Sequence, residues 1–153
     1  MEIDFILEKA KELLQKDKKL VPVLFVETEK EISVIGLFAE FGDIDKREMM
    51  EDIGRKFAIK GQKVQSISLV SDAYVSRLHM GTKDKNESLE RREAIIVARL
   101  EIDTKEKEIM VQNYERSDDN IIFEDNYREL DVQRTFLLDA FVNGYKEIVH
   151  IDN

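Results

Sequence analysis

The sequence predicts an α+β protein with a single, mostly antiparallel sheet of five to six strands and helices packed against it. Three segments carry apolar residues at helical spacing, and six others carry them at strand spacing. Most of the predicted strands follow one another through short connections, and strands joined in this way pair antiparallel. The predicted order of elements is therefore α-β-β-α-β-β-β-β-α.

Residues 2–19 are predicted to form the first helix, because a single apolar stripe recurs along them: Ile3, Ile6, Leu7, Ala10, Leu13 and Leu14. Pro22 ends this helix. Two strands follow at 21–27 and 31–38, joined by a polar turn at 28–30. Both strands are apolar on both faces, so we expect them to lie inside the sheet rather than at its edge.

The second helix is predicted at 45–60. Asp45, with Glu48 three residues later, forms a carboxylate version of the capping box. Gly61 follows the last apolar residue of the segment, where a helix commonly ends in a left-handed residue. One face of the helix is apolar and carries Met49, Met50, Ile53 and Phe57.

Residues 63–76 are predicted to form the next strand. Their alternation of apolar and polar residues slips by one near 71–72, and we expect a bulge or bend there. A long charged loop at 77–92 follows. Beyond it the sequence predicts three further strands joined by turns, the last of them short: 93–103, 107–115 and 120–124.

The last helix is predicted at 132–149, with Asp131 as its N-terminal cap. Its wide apolar face carries Val132, Phe136, Leu137, Ala140, Phe141, Tyr145 and Ile148. Leu138 and Val142 fall outside that face, so we expect burial on two sides or packing against a second subunit. Gly144 lies inside the helix and lowers helix propensity by about 1 kcal/mol relative to Ala.

The length of 153 residues and the hydrophobic fraction of 42% predict one domain, 1–153, with a substantial core. The absence of cysteine excludes disulfide scaffolds, thiol nucleophiles, cysteine-zinc sites and iron–sulfur clusters. A formal charge of −9 argues against direct binding of nucleic acid or of a membrane surface, which Lys and Arg drive. The acidic start at 1–4 lacks the order of a signal peptide, so we expect a cytoplasmic protein.

The first candidate site lies around the charged loop and combines Asp72, Tyr74, Ser76, His79, Arg91 and Arg92. If the strands on either side of the loop pair, these residues come close together on a rigid sheet, where sites often lie. His79 would act as a base or a metal ligand, and the arginines would hold a phosphate or a carboxylate. The commoner alternative is an exposed hairpin rim in which Asp72 pairs with an arginine.

The segments around this loop read Ser71-Asp72-Ala73-Tyr74-Val75-Ser76 and Arg91-Arg92-Glu93-Ala94-Ile95-Ile96-Val97. They resemble a group of uncharacterised small α+β proteins of bacteria, archaea and phages. In that group a strand ending in Ser-Glu-Ala-Trp precedes a charged loop and an Arg-Glu-Glu strand start. Here Asp72 replaces the Glu, Tyr74 the Trp and Ala94 the second Glu. The resemblance covers about 30 residues and implies no activity. The order of elements is also similar to that of profilin-like and roadblock-like domains, which implies no function either.

Two further groups are rich in carboxylates. The first suits Ca²⁺ or Mg²⁺ by residue type and comprises Glu115, Asp118, Asp119, Asn120, Glu124, Asp125 and Asn126. No glycine occurs from 113 to 129, so the EF-hand template fails, and we favour a charged turn that also prevents edge pairing. The second group is explained by a turn and a helix cap and comprises Asp43, Asp45, Glu48 and Asp52.

No nucleotide-binding, hydrolase or metalloprotease motif occurs, and the two histidines lie far apart. We therefore expect no cofactor and no bound metal. The stretch 101–131 carries eleven acids and four bases, which would suit a basic protein partner or an acidic decoy.

These observations favour a non-enzymatic protein-interaction domain that self-associates, because no catalytic motif occurs and the last helix carries surplus apolar surface. The alternative is a small-ligand-binding protein or a hydrolytic enzyme with its site at 72–92. The third hypothesis is an acidic decoy for a nucleic-acid-binding protein.

Overall fold

A computed structural model describes residues 2–37, 43–77, 90–129 and 135–149. Within them the chain forms three helices and six strands, and their order and class confirm the α+β prediction. The helices are α1 (Ile3–Asp17), α2 (Asp43–Ile59) and α3 (Phe136–Ile148). The strands are β1 (Val23–Thr28), β2 (Ile32–Gly36), β3 (Val64–Arg77), β4 (Glu90–Glu101), β5 (Lys107–Ser117) and β6 (Asn120–Glu129).

The strands form one antiparallel sheet in the order β2-β1-β3-β4-β5-β6. The expectation that the first two strands lie inside the sheet is correct for β1 but wrong for β2, which is an edge strand. Ile32 and Val34 on β2 are 47% and 59% exposed. An apolar run alone does not distinguish a buried strand from an edge strand that presents apolar side chains to solvent.

Helices cover the sheet on both sides, and we name the two sides the α1 face and the α2–α3 face. On the α1 face, the predicted stripe of α1 packs on a core that includes Phe25, Val70, Ile95, Val97, Met110 and Tyr114. On the α2–α3 face, the two other helices pack on Leu24, Val26, Ile67, Ala94, Ala98 and Val111. The sheet is therefore the middle of three layers.

The strand register differs from the prediction in one place. β3 and β4 pair without interruption from Ser66 opposite Glu101 to Arg77 opposite Glu90, so the bulge expected near 71–72 is absent from this pairing. The register shifts instead where β1 meets the start of β3. β6 is also longer than predicted, because its charged second half still pairs with β5.

The C-terminal end of α2 agrees with the prediction, whereas its N-terminal end differs from it. Gly61 adopts a left-handed conformation with φ of 70°, and its N–H donates to the carbonyl of Ala58 at 3.0 Å, as predicted for a C-terminal glycine. The helix begins at Asp43, two residues before the predicted start, so Asp45 lies in the first turn and not at the cap.

Helix α3 packs against both α2 and the sheet. Of the two residues that fall outside the predicted apolar face, Leu138 is fully buried within the chain and Val142 is partly buried. Phe136 and Ile148, expected on the buried face, are exposed at 62% and 41%. The predicted cap Asp131 and residues 132–134 lie outside the described residues.

Two glycines bring the backbones of α2 and α3 into direct contact. A Cβ atom added at Gly144 would overlap the carbonyl group of Glu51 on α2. A Cβ atom added at Gly54 would overlap the carbonyl group of Phe141 on α3. The helices therefore approach more closely than side chains at these positions allow.

An ion pair joins the same two helices at the surface. The Nε and Nη2 atoms of Arg55 donate to the Glu147 carboxylate at 2.6 and 3.2 Å. The hydrogen bond and charge of the Arg55 guanidinium lower the pKa of Glu147. A carboxyl group whose pKa is lower in the folded chain than in the unfolded chain stabilises the fold at pH values above its unfolded pKa. That stabilisation is lost as the pH falls through the folded pKa.

Replacing Arg55 with Ala should return the pKa of Glu147 to its usual range, because the guanidinium is the group that lowers it. The carboxyl carbon of Glu147, followed by NMR through an acid titration, measures this. Lys56→Ala, an exposed change on the same helix, is the control and should leave the pKa low. Identical titration curves in the wild type and Arg55→Ala would contradict this account of the pair.

Candidate functional site

The predicted strand–loop–strand site lies where β3 and β4 pair. The register places Tyr74 opposite Glu93 and Ser76 opposite Arg91, so the two segments do come together. His79 lies outside the described residues. The paired ladder also extends into the predicted 77–92 loop, since β3 reaches residue 77 and β4 begins at residue 90.

The register also separates Asp72 from Arg92. Asp72 lies opposite Ile95, which belongs to the core of the α1 face. Arg92 lies two residues before Ala94 on β4, so its side chain projects from the same face of the sheet as that of Ala94. Ala94 belongs to the core of the α2–α3 face. The two side chains therefore project from opposite faces of the sheet, and neither supports the other in a single site.

Arg92 pairs instead with a carboxylate on the far side of β5. Its Nη1 donates to Glu124 Oε2 at 2.7 Å, and the two side chains are only 27% and 25% exposed. The second carboxylate oxygen of Glu124 and the side-chain oxygen of Asn113 are both buried without a hydrogen-bond partner. The guanidinium of Arg92 is thus already neutralised, which disfavours its predicted use in holding a phosphate.

Asp72 lies near a network on the α1 face that sequence reasoning did not find. Arg116 donates to the Glu93 carboxylate at 3.0 Å and to the main-chain carbonyl of Lys18 at 2.6 Å. Burial, together with the carboxylates of Glu93 and Asp72, raises the pKa of the Tyr114 hydroxyl. The Arg116 guanidinium lies over the Tyr114 ring with its Cζ 5.7 Å from the ring centroid, and its charge and hydrogen bonding partly offset this rise in the pKa. A protonated, buried phenol is not a base, and the network ties the end of α1 to the sheet.

A buried glutamine organises the pairing of β5 with β6. Gln112 is fully buried, and its Nε2 donates to the main-chain carbonyls of Asn113 at 2.9 Å and Glu124 at 2.8 Å. Its Oε1 accepts from Asn126 at 3.2 Å. The register of the two strands shifts just beyond Gln112, so the side chain fills a bulge in β6.

The described carboxylates of the stretch 101–131 do not all share one surface. Asp103 and Glu106 lie in the turn between β4 and β5, whereas Asp118 and Asp119 lie in the turn between β5 and β6. These turns are at opposite ends of β5. Among the described residues, no group of His, Cys, Asp and Glu has the arrangement of a metal site. The charge distribution therefore gives no support to the acidic decoy.

Several concave regions border the described residues, and two of them lie near the predicted sites. A cleft of about 840 Å³ is lined by residues 124–127 of β6, and a single strand does not enclose a ligand. A narrower cavity of about 280 Å³ lies between α2, β3 and the start of α3. Its lining is mostly apolar and comprises Pro22, Leu37, Lys46, Met49, Met50, Leu69, Ser71, Asp72 and Leu137.

Among the described residues, β2 pairs with β1 on one side and with no strand on the other. At the two ends of the hairpin, the N–H of Thr28 donates to the carbonyl of Glu31 at 2.9 Å and that of Leu37 donates to the carbonyl of Pro22 at 2.7 Å. Along an antiparallel strand, the N–H and C=O groups of successive residues point alternately to one side of the strand and to the other. Glu31 and Leu37 point toward β1, and so does every second residue between them. The groups that point away from β1 belong to Ile32, Val34 and Gly36.

The two edges of the sheet differ in how they resist pairing with another chain. β6 carries several charged side chains and a bulge, both of which protect an edge. β2 has the sequence Ile-Ser-Val-Ile-Gly, with no charge and no proline, and its pairing with β1 has no register shift. Ile35 packs toward the α2–α3 face, which leaves Ile32 and Val34 exposed on the α1 face.

Comparison with known proteins finds no matching family model, no matching curated protein and no matching solved structure. In the part of the chain that the structure describes, no helix is both long enough and apolar enough to cross a membrane. The geometry of the surface is therefore the basis for a functional proposal.

Proposed function

We propose that this protein is a cytoplasmic protein-interaction domain that self-associates, with two copies joined through β2 in a symmetric dimer. The observation that carries the proposal is the unprotected edge of β2, whose outward main-chain groups lie at Ile32, Val34 and Gly36. Antiparallel pairing about a two-fold axis at Val34 places Val34 opposite its own copy and Ile32 opposite Gly36 of the second copy. All the outward-facing N–H and C=O groups of these residues then gain partners.

Side-chain exposure supports the same pairing. Val34 and Ile32 project on the α1 face, and both β-branched side chains lose exposed apolar area when two edges meet. A single pair of five-residue strands buries less than a stable interface needs, about 1,000 Å². We therefore expect a concentration-dependent dimer with a Kd on the order of 10 µM.

Sedimentation equilibrium of the purified protein, over a range of concentrations around that Kd, tests the proposal. The wild type should pass from monomer to dimer, and Val34→Lys should remain monomeric, because it places two like charges at the two-fold axis. The matched control is Ile122→Lys, which adds the same charge at a 51% exposed position on the other edge strand. That variant should dimerise like the wild type.

A second variant tests the role of the main chain. Val34→Pro removes an N–H that points away from β1, so the β1–β2 hairpin keeps its own hydrogen bonds while the dimer loses two. It should also be monomeric. A wild type that stays monomeric at millimolar concentration, or dimers that persist in both Val34 variants, would rule out pairing through β2.

A further inference from the structure

We draw no further inference here: the strongest candidate, the mostly apolar cavity of about 280 Å³ between α2, β3 and the start of α3, is bordered by Leu37 at the end of a described segment, and nothing in the structure shows what covers it there.

Discussion

Replacing Gly144 with Ala should lower the free energy of unfolding by about 3 kcal/mol, because the new methyl group has no space against the backbone of α2. The added Cβ would overlap the carbonyl group of Glu51, which belongs to a helix and has no side-chain freedom to yield. In an isolated helix the same change raises stability by about 1 kcal/mol. The sign of the effect therefore separates close helix packing from helix propensity, and urea unfolding followed by circular dichroism measures it.

The control for this change is Asn143→Ala, at the exposed neighbouring position of α3. It should alter stability by no more than about 0.5 kcal/mol. Gly54→Ala should repeat the loss seen for Gly144→Ala, because its Cβ would meet the carbonyl group of Phe141. A Gly144→Ala protein as stable as the wild type would show that α2 and α3 do not approach in this way.

Replacing Gln112 with Leu should also cost about 3 kcal/mol, because it leaves buried carbonyl groups at the β6 bulge without a donor. The Gln112 side chain is fully buried and donates to the carbonyls of Asn113 and Glu124. Leu is similar in size but makes no hydrogen bond, so the loss reports the polar contacts and not a cavity. The same unfolding measurement applies.

Gln15 provides a matched comparison for Gln112. Its side chain also donates to a main-chain carbonyl, that of Ile121 at 2.9 Å, but Gln15 is exposed and water replaces the lost bond. Gln15→Leu should cost less than about 1 kcal/mol. If the two Leu variants were equally stable, the buried network around Gln112 would not be holding β5 and β6 together.

The order of elements was predictable because it depends on local patterns. The stripe of α1, the glycine after α2 and the alternation in the strands are each set within a few residues, and all three agree with the structure. The position of β2 at the edge was not predictable, since edge position depends on which strands pair. The burial of Leu138 was not predictable from the local pattern either, because it depends on the packing of α3 on both α2 and the sheet.

For the candidate sites too, the pairing of neighbouring strands was predictable, whereas contacts between residues distant in the sequence were not. The sequence brought Asp72 and Arg92 together because β3 and β4 were expected to pair, and they do pair. The register of β3 with β4 places the side chains of Asp72 and Arg92 on opposite faces of the sheet. The bulge or bend expected near 71–72 prevented a prediction of this register. Gln112, Tyr114 and Arg116 were missed because they read as ordinary strand residues, and their partners lie on other elements. In the sequence, Gly144 only lowers the helix propensity of α3. Its contact with the backbone of α2 explains why a glycine lies at this position.

Cysteine cross-linking at β2 tests the proposed dimer most directly, because the chain contains no cysteine of its own. In the proposed register Val34 pairs with its own copy at a Cα separation of about 5.5 Å, within the range of a disulfide. Ile32 lies opposite Gly36, so two copies of position 32 are about 13 Å apart along the strands. Under mild oxidation Val34→Cys should form a disulfide-linked dimer, and Ile32→Cys should not. A Val34→Cys protein that remains monomeric, or equal cross-linking at both positions, would contradict the two-fold pairing of β2.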